Sequence, residues 1–259
     1  MPAHPAWGYE GYSDPLPSPT TDGISSLTFS HFSSPAKTNI LLASSWDGTI
    51  RQYTPDSDGK YTSRASQSAG GSPVLCSAYG VSTRYVYAGS LDGSSQKVDM
   101  EKGESTTIGN HEKAISSVCC MASSEKPWSS SLFGCIASDS WDGNVKLWDV
   151  RQPQICKSAS EISLGAKVFG MDWVDHTLMV CTSARKIHIF DVRKAGDIDF
   201  LTCHRVDGTI NPINAVAFHP TYGTFATGGC DGTVVVWDAR MKKRLVALPC
   251  LASPRPFLL

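Results

Sequence analysis

The chain contains 259 residues, of which 41% are apolar and 18% are charged, and its formal net charge at pH 7 is -1. This near-neutral balance argues against a broad electrostatic attraction to nucleic acid, and no apolar run is long enough to cross a membrane. The N-terminus also lacks the basic start and apolar stretch of a secretory signal.

The first part of the chain, MPAHPAWGYEGYSDPLPSPTTDG, is rich in proline, glycine and serine. This composition predicts a disordered lead-in over residues 1–21. Recurring segments then predict a single domain over residues 22–248, followed by an irregular tail over residues 249–259.

One type of segment recurs along this domain: a few small residues, then Asp-Gly, then an alternating strand that ends near Trp-Asp or Phe-Asp. Its copies are SSWDGTIRQY at Ser44–Tyr53, GSLDGSSQKVD at Gly89–Asp99, SDSWDGNVKLWD at Ser138–Asp149, the degenerate TSARKIHIFD at Thr182–Asp191 and GGCDGTVVVWD at Gly228–Asp238. The turn positions are Asp47, Asp92, Asp142, Ala184 and Asp231, which are 45, 50, 42 and 47 residues apart. This period is typical of propeller blades with four short strands. We therefore predict an all-β WD-repeat β-propeller with about five recognisable blades.

Polar residues of the third copy match the internal hydrogen-bonded set of WD repeats, in which a histidine links a hydroxyl and the turn aspartate to a tryptophan nitrogen. The predicted members are His111, Ser138, Asp142 and Trp148 in the third copy, and Thr227, Asp231 and Trp237 in the last. Asp47 and Asp92 occupy the same turn position. These aspartates are interpreted as structural, and no catalytic residue is predicted.

The sequence offers little for catalysis or metal binding. Its nine cysteines include no C-x-x-C pair and mostly lie in apolar runs, which predicts free thiols in a reducing compartment, without a metal site or cofactor. The phosphate-binding loop, the nucleophile elbow and the H-E-x-x-H motif are missing. His188 alternates with isoleucines and is predicted to face solvent. Because repeat architectures usually serve binding, we predict that the protein is not an enzyme.

Trp46 and Trp141 stand immediately before the turn aspartate, each in Ser-Trp-Asp-Gly, instead of at the usual Trp-Asp position. Rings at that place can lie exposed at the rim of the propeller face, where large aromatic side chains anchor partners. The alternative is that both rings pack between adjacent blades. The repeated placement favours the binding interpretation.

Longer segments resemble the WD-repeat spindle-checkpoint protein of the Bub family. They are DGISSLTFS at Asp22–Ser30, LLASSWDGTIRQY at Leu41–Tyr53, HEKAISSV at His111–Val118, SWDGNVKLWDVR at Ser140–Arg151, CHR at Cys203–Arg205 and NPINAVAFHPTYGTFATGGCDGTVVVWDARMKKRL at Asn211–Leu245. The nuclear-pore mRNA-export propeller of the Rae/Gle type shares part of this pattern. The opening DGISS and the closing KKRL favour the checkpoint family.

The resemblance implies a seven-bladed propeller that binds GLEBS peptides of the checkpoint kinase and its pseudokinase relative, with Trp46 and Trp141 at positions that touch the peptide. It implies a nuclear protein that is at kinetochores in mitosis, and it allows the cytoplasm. The family also reads phosphorylated Met-Glu-Leu-Thr motifs of a kinetochore scaffold through basic residues. Arg205 is a candidate partner-binding residue, although it matches a different position from the phosphate-binding one.

The chain departs from the family pattern at two places. Between Asp191 and Cys203 it has VRKAGDIDFLT where the family has a further blade, and Thr202 replaces a basic residue. It also stops at LVALPCLASPRPFLL, where the family continues into a closing blade. These departures predict an incomplete version of the seven-bladed ring, either open or closed with five blades, and weakened binding of the phosphorylated scaffold.

Two other functions stay open. One is mRNA export at the nuclear pore. The other is a substrate receptor for a cullin-type ubiquitin ligase, indicated by Trp-Asp-x-Arg at Trp148–Arg151 and Trp237–Arg240.

Overall fold

The structure is a computed structural model that describes residues 16–30, 39–80, 82–120, 135–150, 160–174, 177–191, 200–205, 213–219, 223–238 and 243–249. Within these ranges the regular elements are twenty β-strands in five four-stranded antiparallel sheets. The predicted all-β fold with five blade units is therefore confirmed. None of the described segments forms a helix with the length and hydropathy needed to span a bilayer.

Each sheet consists of four strands that follow one another in the chain. Sheet 1 contains β1 (Ile24–Phe29), β2 (Leu41–Ser45), β3 (Thr49–Pro55) and β4 (Tyr61–Ser68). Sheet 2 contains β5 (Val74–Tyr79), β6 (Tyr85–Ser90), β7 (Ser94–Asp99) and β8 (Glu104–Asn110). Sheet 3 contains β9 (Ile115–Cys120), β10 (Cys135–Ser140), β11 (Asn144–Asp149) and β12 (Ser160–Ser163). Sheet 4 contains β13 (Val168–Val174), β14 (Thr177–Thr182), β15 (Lys186–Asp191) and β16 (Phe200–Arg205), and sheet 5 contains β17 (Ile213–His219), β18 (Thr224–Gly229), β19 (Thr233–Asp238) and β20 (Lys243–Pro249).

The recurring Asp-Gly segments form the turns between the second and third strands of four sheets. In each turn the glycine N–H donates to the carbonyl oxygen three residues earlier, as from Gly48 to Ser45 at 3.1 Å. The four glycines have φ between 72° and 91°, a left-handed conformation that costs glycine little because it has no Cβ. In sheet 4 Arg185 takes this place, with φ 61° and a 3.0 Å bond from its N–H to Thr182.

Apolar clusters fill the gaps between consecutive sheets. Between sheets 1 and 2, for example, Leu42 and Ile50 pack with Tyr79 and Val86. The first strands follow one another in the same order, since β1 packs on β5, β5 on β9, β9 on β13 and β13 on β17. Among the described residues no comparable packing joins β17 back to β1. The five described sheets therefore follow one another in an arc whose first and last sheets are not packed together by the described residues.

Polar side chains reinforce these contacts by bonding to the backbone of the next first strand. Ser25 Oγ donates to the Val74 carbonyl and Thr28 Oγ1 to the Ser77 carbonyl at 3.1 Å. Ser116 Oγ makes the corresponding bond to Val168 at 2.8 Å. Backbone groups at the inner edge of a first strand lack a neighbouring strand, so these side chains satisfy part of their hydrogen-bonding capacity.

The expectation that His188 faces solvent is wrong. Its exposed fraction is 7%, and its ring lies parallel to that of Phe190 with centroids 6.1 Å apart. The reason is that β15 belongs to sheet 4, which packs against sheets 3 and 5. Both faces of the sheet are therefore buried, and alternation of polar and apolar residues does not identify a solvent-exposed face.

The last residues of the predicted lead-in contact sheet 1. The Thr21 N–H donates to Asp47 Oδ2 at 3.0 Å, and the Tyr53 hydroxyl donates to the Ser18 carbonyl at 3.3 Å. Residues 1–15 and 250–259, which include most of the lead-in and the tail, lie outside the described residues.

Candidate protein-interaction site

The residues that precede the turn positions have equivalent places in four sheets. Each donates its backbone N–H to the residue just before the first strand of the same sheet. These bonds run from Trp46 to Gly23, Leu91 to Pro73, Trp141 to Ala114 and Ser183 to Lys167, with lengths between 2.8 and 3.0 Å. The four hairpin tips therefore lie at the same end of their sheets and belong to one face of the arc.

Three consecutive tips expose large apolar side chains. The exposed fractions are 44% for Trp46, 39% for Leu91 and 38% for Trp141. We call these three residues the tip row. Both tryptophan rings are thus partly open to solvent, and neither is enclosed between sheets. Leu91 was not singled out from the sequence, although its position before Asp92 matches that of the two tryptophans.

The turn aspartates hold the hairpins in shape. In each one a side-chain oxygen accepts the backbone N–H two residues later. These bonds run from Thr49 to Asp47, Ser94 to Asp92, Asn144 to Asp142 and Thr233 to Asp231, with lengths between 2.8 and 3.0 Å. Because each carboxylate bonds to the backbone of its own turn, it fixes the backbone conformation of the adjacent hairpin tip.

Sheet 3 contains a continuous hydrogen-bonded chain below its tip. His111 Nδ1 lies 3.1 Å from Asp142 Oδ2, and His111 Nε2 lies 2.9 Å from Ser138 Oγ, which also accepts Trp148 Nε1–H at 2.8 Å. The structure therefore brings together all four residues predicted for this set. The Asp142 carboxylate can only accept a hydrogen bond, and Trp148 already donates to Ser138 Oγ. The neutral His111 ring is therefore assigned its proton on Nδ1, which donates to Asp142, and its Nε2 accepts from the Ser138 hydroxyl.

The charges in this chain follow from its burial. Burial lowers the pKa of His111 against the opposing effect of the Asp142 carboxylate, so the ring is neutral. Burial alone would raise the pKa of Asp142, but N–H donors of Asn144, Glu112 and His111 outweigh it and hold the pKa below the ordinary value. The hydrogen bonds therefore hold the Asp142 carboxylate in place, and Asp142 in turn supports the turn of sheet 3.

Sheet 5 has a shorter version. Trp237 Nε1–H donates to Thr227 Oγ1 at 2.9 Å, whereas Asp231 bonds to the backbone and hydroxyl of Thr233. The structure therefore brings Thr227 and Trp237 together at one place and leaves Asp231 at the turn.

Sheet 1 anchors its tip with an ion pair. Arg51 Nη1 lies 3.1 Å from Asp47 Oδ2, and both side chains are less than a tenth exposed. Burial would raise the pKa of Asp47, but hydrogen bonds from Thr49, Thr21 and Arg51 hold it well below its ordinary value. Trp46 thus stands on a rigid turn.

The third predicted partner-binding residue, Arg205, is described through its backbone. It is the last residue of β16 and pairs with Lys186, the first residue of β15. Since β15 begins directly after the turn of sheet 4, Arg205 lies at the same end of its sheet as the hairpin tips. Thr202 lies in the same strand, three residues earlier.

A buried carboxylate lies away from the tips, in the contact between sheets 3 and 4. Asp139 is fully buried, and its Oδ1 accepts bonds from Ser116 Oγ at 2.5 Å and Ser117 N–H at 2.7 Å. Its Oδ2 has no hydrogen-bond partner among the described residues. Burial is the main cause that raises the pKa of Asp139 to about 6.

The described side chains do not assemble a metal centre, since no cluster of three or more histidine, cysteine, aspartate or glutamate residues among them has suitable geometry. Burial also raises the pKa of the Cys120 and Cys181 thiols to about 12, which keeps both protonated. Thiols in that state are poor nucleophiles and poor metal ligands.

Comparison with known proteins places this geometry in context. The family model for the WD domain, G-beta repeat, matches residues 103–149 and 198–238. The chain is 31% identical to the mitotic checkpoint protein bub-3 of Caenorhabditis elegans, over 84% of this chain and 76% of that protein. It is 26% identical to the spindle assembly checkpoint protein bub3 of Schizosaccharomyces pombe, over 92% and 84% of the two chains. It is also 27% identical to the poly(A)+ RNA export protein of Schizosaccharomyces pombe, over 89% and 76%.

Proposed function

Because the chain belongs to the WD40-repeat family that includes the bub3 checkpoint proteins and the poly(A)+ RNA export protein, we propose that it is a non-enzymatic scaffold of the spindle assembly checkpoint. Its partners are GLEBS-type peptides of the checkpoint kinase and its pseudokinase relative, bound at kinetochores of the mitotic cell. Between divisions the protein is nuclear, with the cytoplasm as a second location.

The observation that carries this proposal is the tip row. Trp46, Leu91 and Trp141 present half-exposed apolar side chains at equivalent positions on three successive sheets. Hydrogen-bonded turns fix the backbone that carries these side chains, so little backbone entropy is lost when a partner covers them. Exposed aromatic residues on rigid supports are typical binding hot spots.

A peptide that follows the row would cross sheets 1 to 3 along one face. Asp47, Asp92 and Asp142 directly follow the residues of the row in the chain, and the carboxylate of each is engaged in its own turn. Binding is therefore expected to depend mainly on apolar contact with the row, with polar groups of the peptide at its edges.

The test is a titration of a GLEBS peptide against single variants of the full chain. We expect Trp46→Ala and Trp141→Ala each to weaken binding by about 2 kcal/mol or more, roughly 30-fold in Kd, because hot-spot aromatics carry energy on that scale. Leu91→Ala, which removes a smaller side chain, is expected to cost about 1 kcal/mol.

A matched control is Leu245→Ala, which truncates a side chain that is 54% exposed on the outermost strand of sheet 5. It should leave peptide affinity unchanged. Thermal unfolding must be similar for all variants. Unaltered affinity in both tryptophan variants would place the peptide elsewhere and remove the basis of the proposal.

The similarity to the poly(A)+ RNA export protein favours a second candidate, a factor in mRNA export at the nuclear pore. Peptide binding alone does not separate the two functions. Fluorescently tagged protein should collect at unattached kinetochores in mitosis if the checkpoint function holds, and should stay at the nuclear envelope through interphase without that recruitment if the export function holds.

A further inference from the structure

The first strand of the arc has an uncovered apolar face. Ile24, Leu27 and Phe29 of β1 are 53%, 59% and 56% exposed. We call these three residues the leading face. Residues at the same places in the next three sheets are at most 6% exposed, namely Val74, Ser77 and Tyr79 in sheet 2, Ile115, Val118 and Cys120 in sheet 3, and Val168, Met171 and Trp173 in sheet 4.

In the other sheets these places make the contact to the preceding sheet. Tyr79 packs with Leu42 and Ile50 of sheet 1, and its hydroxyl accepts a bond from Gln52 at 3.2 Å. The leading face therefore has the composition of one half of an inter-sheet contact. The opposite side of β1 already serves the contact with sheet 2, through Thr28.

The other end of the arc exposes the complementary half. Val234 and Val236 of β19 pair with Leu248 and Val246 of β20, so these four side chains share one side of sheet 5. We call them the trailing face; Val246 and Leu248 are 42% and 52% exposed. Val235, on the opposite side, is 4% exposed and packs against sheet 4.

Corresponding residues of earlier sheets show what a trailing face normally does. Ile50, Val145 and Ile187 occupy the place of Val234 and are at most 1% exposed. Ile50 packs on sheet 2, Val145 on sheet 4 and Ile187 on sheet 5. Apolar clusters thus join consecutive sheets four times, three of them through an aliphatic residue at this place, while sheet 2 has Ser95 there. One half of such a contact is left open at each end.

We propose that a second copy of this chain covers these ends, with the trailing face of one copy packed on the leading face of the next. The occupant follows from continuity with the four contacts inside the chain, since the two open halves are the partners that such a contact joins. The seven side chains involved are all uncharged, so their burial desolvates no ionic group.

This contact joins two different surfaces, so it is heterologous, and each added copy again presents one free face of each kind. The assembly is therefore expected to grow with concentration and to have a direction. It does not use the tip row, and it stands or falls independently of the proposed function.

The experiment measures the molar mass of the full chain by sedimentation equilibrium from about 1 µM to about 100 µM, the range of modest protein affinities. The wild-type mass should rise with concentration. Leu27→Asp/Phe29→Asp on the leading face and Val246→Asp/Leu248→Asp on the trailing face should each shift the midpoint by tenfold or more. Ser66→Asp, a charge added at an exposed place on β4, is the control and should leave the curve unchanged.

A mixture of the two double variants gives the sharpest result. Each keeps one intact face, so an equimolar mixture should form a complex of two copies and nothing larger, at concentrations where each variant alone is monomeric. Circular dichroism checks the fold, and Leu27→Thr/Phe29→Thr replaces the aspartate pair if that pair unfolds. Monomeric wild type at all concentrations, association of a double variant by itself at the wild-type midpoint, or a mixture without complex would each overturn the proposal.

Discussion

At the scale of single residues, Asp139 is a destabilising group retained inside the contact between sheets 3 and 4. Burial raises its pKa from the ordinary value of 3.8 to about 6, so the folded state binds a proton more tightly than the unfolded state. Its contribution to stability is therefore fully present below pH 3.8 and is lost as the pH rises to about 6. Three thiols lie near it, Cys76, Cys119 and Cys181, and all have raised pKa values.

We expect Asp139→Asn to raise the free energy of unfolding at pH 7 by on the order of 1–3 kcal/mol, because the amide can accept the bonds from Ser116 and Ser117 without a buried charge. The variant should also lack the decrease in stability between pH 4 and pH 6. Urea denaturation across that range measures both effects. Asp142→Asn is a control of opposite sign, since a lowered pKa means that its charge stabilises the fold at pH 7. Equal loss of stability in both variants would contradict this account.

Arg185 has a backbone conformation that suits glycine. Its φ of 61° lies in the left-handed region, where a side chain costs about 1–2 kcal/mol. We expect Arg185→Gly to stabilise the protein by about 0.5–1 kcal/mol, since part of that relief is offset by the greater freedom of glycine in the unfolded chain. Lys186→Gly, one residue further and at the first position of β15, should instead destabilise. Thermal unfolding of the two variants decides the matter, and a loss of stability in both would show that the Arg185 side chain outweighs its backbone strain.

At the scale of elements, β8 and β11 meet across sheets at a glycine. A Cβ on Gly109 would lie 2.2 Å from Cη2 of Trp148, whose ring is buried and whose Nε1–H is held by Ser138. The ring cannot move aside without breaking that bond. Gly109→Ala should therefore lower the free energy of unfolding by about 2–3 kcal/mol, at the upper end of typical overpacking costs.

Gly228→Ala is the matched variant for this experiment. Its Cβ would meet only the Cβ of Ala215, at 3.7 Å, which is ordinary van der Waals contact. Chemical denaturation should find it within about 0.5 kcal/mol of wild type, as for substitutions away from packed sites. Similar losses in the two variants would mean that glycine itself, and not the tryptophan above it, is what sheet 2 requires.

The elements were predictable where a local signal fixes local geometry. Asp-Gly followed by alternating residues marks a hairpin, and the degenerate copy at Ala184 could be placed by spacing alone. Burial was less predictable because it depends on the neighbouring sheets. For that reason the alternation around His188 wrongly predicts a solvent-facing ring, and nothing in the composition of β1 distinguishes its exposed Leu27 from buried equivalents.

The residues of the candidate site were likewise predictable only where the sequence carries a local signal. The tryptophans at positions 46 and 141 were found because an aromatic residue before Asp-Gly is unusual. Leu91 occupies the same place, but a leucine there gives no signal until the backbone bond to Pro73 reveals its equivalence. Asp139 was missed because a carboxylate inside a Ser-Asp-Ser strand looks like a surface residue.

At the scale of the whole molecule, stability should vary along the arc. Strand β10 in the central sheet is buried at every residue, whereas in β18 of sheet 5 two residues are buried and four are half-buried. In an array held together by nearest-neighbour contacts, the terminal units open more readily. Amide hydrogen exchange in dilute protein should be about tenfold or more faster in β18 than in β10. Uniform protection across all five sheets would mean that the arc unfolds as one cooperative body.

The strand order of the five sheets also bears on how fast the molecule folds. Each described sheet pairs only strands that follow one another in the chain, so every ladder closes over a short sequence separation. Folding rates of β-proteins fall as contacts become more distant in sequence, because the entropy of closing a long loop is lost before the contact forms. Here no described ladder joins the first strands to the last. Sheet 1 can therefore be complete while sheet 5 is still being synthesised, and assembly can proceed from the N-terminal sheet onward without waiting for the C-terminus.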